Sequence, residues 1–162
     1  MIFVTVGTHE QPFNRLVAFM DKWAEVHDEK VIIQTGFSTY NPINCVWDKF
    51  YPYKKMLALV QEARIVITHG GPSSFILPLQ VGKTPIVVPR KYEYNEHVNN
   101  HQIYFAKTVE KRLENIKVVE NVEELSNVID NYDEIVSYKI KGLQSNNLSF
   151  CNQLNDIVNK MF

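Results

Sequence analysis

Apolar residues arrive along this chain in two rhythms. Short β-branched runs at Ile2–Val6, Lys30–Gln34, Ile65–Thr68 and Pro85–Val88 are nearly unbroken by polar residues, and weaker runs lie near Asn44–Trp47 and Ile116–Val119. Runs that do not alternate are expected of strands covered on both faces. Between them the spacing changes to three and four. After Pro12, the residues Phe13, Leu16, Val17, Met20, Trp23 and Ala24 fall on one helical stripe. Further helical patterns cover Tyr53–Glu62, Ser73–Val81, Glu96–Val109, Val122–Asp130 and Phe150–Met161. Strands alternating with helices predict an α/β fold, a doubly wound parallel sheet with right-handed crossovers. Pro78 sits inside the third helical pattern and has no N–H for the Ser74 carbonyl, which predicts a kink or an early stop. Gly142–Asn147 reads as a connection to a last helix within residues 148–162, whose apolar side faces its own domain or a partner.

The 162 residues, 45% hydrophobic and 22% charged, fit a single domain spanning 1–162. The formal net charge is −1 and no long basic run occurs, so nucleic-acid binding has no electrostatic support. Lys107, Lys111 and Arg112 are interrupted by Glu110 and read as a solvated helix face. Cys45 and Cys151 are far apart, without Cys-x-x-Cys or zinc-ligand spacing, which points to a reducing cytoplasm and to neither a disulfide framework nor a metal. The apolar start, Met1–Gly7, is cut off by His9-Glu10-Gln11 and lacks the features of a signal segment. No apolar run approaches the roughly 20 residues that span a bilayer. The expectation is a soluble cytoplasmic protein, unless a partner holds it at a membrane.

In doubly wound sheets ligands collect beyond the carboxyl ends of the strands. Here the loops concerned are Gly7–Gln11, Gly36–Asn41, His69–Ser74 and Arg90–Asn100. His69-Gly70-Gly71-Pro72-Ser73-Ser74 runs from a strand into a helix that Pro72 can open, so its backbone donors at Gly71, Ser73 and Ser74 and its two hydroxyls suit a diphosphate. The plainer reading is ordinary helix capping. The stretch is neither a Walker loop nor a Gly-x-Gly-x-x-Gly dinucleotide turn. The dense polar run Asn95-Glu96-His97-Val98-Asn99-Asn100-His101-Gln102 suits a sugar, whose hydroxyls both donate and accept, or else caps a helix. His97 and His101 have metal-ligand spacing but no evident third ligand. In Gly7-Thr8-His9-Glu10-Gln11, Gly7 and Thr8 can close over a phosphate while His9 or Glu10 serves as general base; a helix-capping turn would use the same residues. Phe50-Tyr51-Pro52-Tyr53 is either a nucleobase wall or core packing. The absence of any Asp-x-Asp weakens mechanisms in which an aspartate pair holds a divalent metal.

Four stretches in order carry a resemblance: Val4-Thr5-Val6-Gly7-Thr8, His69 to Ser74, Gly82-Lys83-Thr84-Pro85-Ile86-Val87-Val88-Pro89-Arg90, and Glu96 to Gln102. Together they resemble the glycosyltransferase family 28 C-terminal domain, and more closely the small donor-binding subunits of two-component bacterial capsule and exopolysaccharide glycosyltransferases. The resemblance implies a Rossmann-like sheet forming the C-terminal, donor-binding half of a GT-B fold. It implies diphosphate contacts at Gly70, Gly71, Ser73 and Ser74, beside His69, and sugar contacts at Asn100, His101 and Gln102, with Glu96 and His97 nearby. It further implies that Gly7 and Thr8 contact phosphate or lie at the cleft, and that Phe50 and Tyr51 help seat uracil. Many relatives carry a ribose-binding glutamate five residues before the glycine that matches Gly82, and here that position is Leu77. Relatives also often read Asp-Asn-His-Gln where this chain has Asn99-Asn100-His101-Gln102, so the choice of sugar does not transfer.

The implied activity is metal-independent transfer of a sugar from a UDP-sugar to a lipid-diphosphate-linked saccharide, without a cofactor and with a membrane-associated acceptor-binding subunit. The base is His9 or Glu10, or a residue of that subunit. A nucleotide-sugar 2-epimerase shares the GT-B architecture but needs both halves in one chain. A second alternative is a non-catalytic subunit that binds the nucleotide sugar or activates a transferase.

Overall fold

Six parallel strands organise the part of the chain that the computed structural model describes, residues 1–139 with 152 and 155–157. They are β1 (Ile2–Thr5), β2 (Val31–Gln34), β3 (Val46–Asp48), β4 (Ile65–His69), β5 (Ile86–Val88) and β6 (Lys117–Val118). The sheet order is β3-β2-β1-β4-β5-β6, and every pairing is parallel. The chain reverses its direction of winding between β1 and β4. That crevice is where such sheets take ligands.

The unbroken apolar runs are explained by division between two faces. Ile2, Val4 and Val6, with Ile65, Ile67, Ile86 and Val88, join Leu16, Val17, Met20 and Trp23 of α1 (Asn14–Glu25) and Leu125, Val128 and Ile129 of α5 (Leu125–Asp130) in one core. The intervening Phe3, Ile32 and Val66 point the other way, against Leu59 and Val60 of α2 (Tyr53–Glu62). On that second face Val87 and Val118 meet Phe75 and Leu79 of α3 (Pro72–Gln80) and Ala106 of α4 (His101–Leu113). Burial of each such large side chain is worth about 1.5–3 kcal/mol.

Several boundaries differ from the sequence expectation. The helix expected over Glu96–Val109 begins at His101 and ends at Leu113. Asn95, at φ 55° and ψ 27°, terminates a short 3-10 helix over Tyr92–Tyr94, and residues 96–100 form bends. The pattern at Val122–Asp130 divides into a 3-10 turn, Val122–Glu124, and α5. A further helix, α6 (Tyr132–Ser137), was not expected from the pattern; Tyr132 anchors it by burying its ring and donating to the Thr84 carbonyl at 2.6 Å. Helix α3 passes through Pro78 and stops at Gln80, two residues later. The expected connection at 142–147 and most of the terminal helix over 148–162 lie outside the described residues; 152 and 155–157 are helical.

Asp21, buried on α1, ties that helix to the loop before β3. It accepts from the Tyr40 hydroxyl at 2.9 Å and from the Ile43 and Asn44 N–H groups at 2.9 and 2.7 Å. Burial alone would raise its pKa, but the Asn44 and Ile43 N–H groups and the Tyr40 hydroxyl together hold the carboxyl below its usual value. A depressed carboxyl stabilises the fold above its unfolded pKa, and that contribution is lost as pH falls through the folded one. Asp21→Ala is expected to cost about 2 kcal/mol in denaturant unfolding at pH 7. The difference from the parent should shrink below pH 4.

Candidate functional site

Beyond the carboxyl ends of β1 and β4 lies a cavity of about 420 Å³. Its polar lining is Thr5, Gly7, Thr8, His9, Gln34, His69, Gly71, Ser73, Ser74 and Gln102, and its apolar wall is Met56 and Val60 of α2 with Leu77 of α3. The volume falls in the ordinary range for small-molecule sites. Three stretches far apart in sequence meet here: the first loop, the glycine turn and the end of the polar run.

His69 occupies the centre of the turn. Gly7, at φ +74°, and Gly71 crowd its imidazole, so that a Cβ on Gly7 would lie 2.3 Å from Nε2 and one on Gly71 2.3 Å from Cε1. Gly71 N–H donates to His69 Nδ1 at 3.0 Å, and Ser74 Oγ lies 2.7 Å from Nε2. Burial, reinforced by the Arg90 charge, pushes the imidazole down to about 4, so the ring is neutral at pH 7. This arrangement alters the expected set of backbone donors. Gly71 N–H is committed to His69 and Ser74 N–H to the Gly71 carbonyl at 3.1 Å, which leaves Ser73 N–H and the two serine hydroxyls among the described residues. They stand at the first turn of α3, which Pro72 opens and where partial positive charge favours an anion.

The polar run does not act as one surface. Gln102 lines the cavity, and its Oε1 accepts from Arg90 N–H at 3.2 Å. Gly70 packs behind it, where a Cβ would lie 3.0 Å from that of Gln102. Glu96 is buried and turned to structural work: Arg15 binds both of its oxygens, Nε at 3.0 Å and Nη2 at 2.9 Å, and Lys91 N–H adds a third bond at 2.9 Å. His97 is buried between His9 and His101, with ring centroids 4.8 and 4.5 Å away. Burial, with His101, His9 and Arg90 nearby, depresses its pKa. Asn100 accepts from Tyr92 N–H at 2.8 Å and lines a separate depression with Tyr92, Val98 and Asn99. His101 is exposed, with Nδ1 2.5 Å from Asn99 Oδ1. The His97 and His101 pair finds no third metal ligand among the described residues.

His9 lines the cavity and accepts from Gln11 N–H at Nδ1, at 3.2 Å. Glu10 is exposed and stands outside the cavity lining. Neither Phe50 nor Tyr51 lines it. Phe50 meets Phe37 edge-on at 5.4 Å on the surface, while Tyr51 packs on the core beside Phe3 and donates its N–H to Gln34 Oε1 at 3.0 Å.

The residue that the sequence did not single out is Arg90. Fully buried, it donates to the carbonyls of Val6 at 2.9 Å, Gln11 at 2.7 Å, Pro12 at 3.3 Å and Glu96 at 3.1 Å. Its guanidinium also lies 4.9 Å from the Phe13 ring centroid. Burial pushes it down to about 10, which Glu96 opposes, so it stays charged at neutral pH. The one available signal was an arginine closing an otherwise apolar strand, Ile86-Val87-Val88-Pro89-Arg90.

The strand order and the crevice define a Rossmann-like α/β protein. The profile of the glycosyltransferase family 28 C-terminal domain matches residues 1–160, and the chain belongs to that family. It is 34% identical over 122 residues to the human UDP-N-acetylglucosamine transferase subunit ALG13, covering 68% of this chain and 10% of that protein. Among solved structures, the glycotransferase of kitacinnamycin aligns with a TM-score of 0.59 at 19% identity, over 80% of this chain and 34% of that one. The Streptomyces nogalater glycosyltransferase SnogD aligns at 0.50, also at 19% identity, over 74% of this chain and 30% of that one. The chain thus spans a tenth of the human relative and about a third of each glycosyltransferase it resembles in fold.

Arg90→Lys keeps the charge but loses the fork that reaches several carbonyls. We expect it to cost about 2 kcal/mol or more in denaturant unfolding. Faster amide exchange in residues 7–12 should accompany the loss.

Proposed function

We propose that this chain is the donor-binding subunit of a two-part glycosyltransferase. It binds a UDP-sugar and transfers the sugar to a lipid-diphosphate-linked saccharide in capsular or exopolysaccharide synthesis, acting with a membrane-associated acceptor-binding subunit at the cytoplasmic face. The observation that carries this reading is the cavity at the switch point, where Ser73 and Ser74 stand at the start of α3 opposite Gly7 and Thr8. Support also comes from membership of family 28 and from similarity to a protein named as a transferase subunit. Among the described residues no helix is long and apolar enough to cross a membrane, so membrane attachment in this reading falls to the partner.

The donor diphosphate rests against the start of α3, and hydrogen-bond donors fixed before the reaction stabilise the charge that develops on the leaving UDP. The nucleoside lies toward Met56, Val60 and Leu77, and the sugar toward Gln102 and His9, with Asn100 and His101 beyond. Leu77 gives the ribose no hydrogen bond, so contacts to its hydroxyls fall to other groups. His9 is the better placed of the two base candidates, since it lines the cavity and Glu10 does not. The Gln11 N–H on Nδ1 leaves the proton of the neutral ring on Nε2, so proton abstraction at Nε2 requires that 3.2 Å bond to be released.

Isothermal titration with UDP and a series of UDP-sugars, with and without Mg²⁺, tests the donor site. UDP binding independent of Mg²⁺ is expected, abolished by Gly71→Arg, whose side chain enters the space of His69. Sugar transfer should appear only once the second subunit is added; transfer in neither state, with UDP still bound, would favour a non-catalytic donor-binding subunit. In the assembled enzyme His9→Ala is expected to lower kcat by about a hundredfold or more. Glu10→Ala should leave it nearly unchanged. If neither substitution alters turnover, the base lies on the partner.

A further inference from the structure

The contacts of His69 settle more than its position. A ring nitrogen that accepts a hydrogen bond from a backbone N–H carries no proton of its own. Gly71 N–H approaches Nδ1 at 3.0 Å, so the proton of the neutral imidazole is on Nε2. The opposite tautomer would set an Nδ1 proton against the Gly71 N–H, two donors face to face. With Nε2 protonated, the 2.7 Å contact to Ser74 has one polarity: Nε2–H donates and Ser74 Oγ accepts. The proton of the Ser74 hydroxyl is then left for something else, and Ser74 lines the cavity.

A serine in the first turn of a helix ordinarily has a local alternative, since its hydroxyl can turn back to a main-chain carbonyl one turn earlier. An Nε2–H fixed on its oxygen holds the hydroxyl against that rotation. The imidazole is itself held close by Gly7 at Nε2 and by Gly71 at Cε1, where a Cβ on either glycine would lie 2.3 Å from it. We infer that His69 is a positioning residue that fixes the Ser74 hydroxyl as a dedicated hydrogen-bond donor to the diphosphate of the nucleotide ligand. Gly71 N–H serves this arrangement by selecting the tautomer, in place of binding phosphate directly. The inference rests on the donor-site reading of the cavity, and it adds which groups donate and what aims them.

Two near-isosteric substitutions separate the parts of this role. Asn at position 69 can place its Oδ1 near Nδ1 and keep the Gly71 bond, but it has nothing at the Nε2 position. Gln can extend an amide N–H toward Ser74 Oγ. Ser74→Ala is expected to weaken UDP binding about tenfold, the loss of one hydrogen bond to a charged group. His69→Asn should match that loss, the His69→Asn, Ser74→Ala double variant should be no weaker than either single one, and His69→Gln should recover most of the affinity. In the ¹⁵N-histidine-labelled chain, the His69 correlations should show a protonated Nε2 and an unprotonated Nδ1 from pH 8 to pH 5.5. Losses that multiply in the double variant, or a proton on Nδ1, would overturn the inference. Failure of the unsubstituted chain to bind UDP would instead overturn the donor-site reading, and would leave the tautomer measurement to decide the geometry.

Discussion

A single buried guanidinium holds together the loops from which the site is built. Arg90 follows β5, yet its hydrogen bonds end on the last residue before the first loop, Val6, on Gln11 and Pro12 leading into α1, and on Glu96 beyond the 3-10 turn. Those carbonyls lie in the loops after β1 and β5, where no sheet ladder supplies donors, and a buried carbonyl left unpaired is costly. The charge is accommodated by the nearby Glu96 carboxylate and by the face of Phe13, which also lies 5.3 Å from Arg15. Arg15 in turn binds Glu96 and the carbonyls of Pro89 and Glu120. Two arginines, one glutamate and one aromatic ring thus tie together the loop after β1, the loop after β5 and the segment leading to α5.

With those loops fixed, the cradle can be made from very little. Gly7 and Gly71 follow different strands, β1 and β4, yet a Cβ on either would stand 2.3 Å from one imidazole. Such closeness is tolerable only if the backbone on both sides is held, and Gly7 is held by a bond from its N–H to Thr5 Oγ1 at 3.2 Å and by its neighbour Val6 through Arg90. The neutral state of His69 follows from the same packing, because burial and the Arg90 charge both oppose protonation. The neutral ring confines the role of His69 to direction.

Much of this fold was legible because its determinants are local. β-Branched runs mark strands whether or not the partners are known, and the three-and-four spacing of Leu16, Met20 and Trp23 marks α1 by itself. The glycine turn was legible as well, since Gly-Gly-Pro-Ser-Ser ends a strand and opens a helix by the conformational preferences of its own residues. The misplaced features depend on residues distant in sequence. Glu96 reads as a polar site residue until Arg15, 81 positions earlier, is brought against it. Arg90 reads as a loop cation until it is seen to lie under Val6, 84 positions away. Asn95 in a left-handed conformation delays α4 to His101, and no periodicity announces a single residue of that kind.

The distribution of free polar groups in the cavity gives it a direction. On the floor, Thr5 Oγ1 already accepts from Gly7 N–H and from Gln34 Nε2, both at 3.2 Å, and Gln34 Oε1 accepts from Tyr51 N–H. These groups serve mainly to fix one another. The wall of Met56, Val60 and Leu77 offers dispersion contacts and excludes water. The remaining polar lining is made by the Ser73 and Ser74 hydroxyls, Thr8, His9 and the Gln102 amide, which packs beside the glycine turn. In the donor-site reading proposed above, the anionic middle of the ligand lies against Ser73 and Ser74 and its less polar end against Met56, Val60 and Leu77, because hydroxyls pressed on that wall would lose their partners.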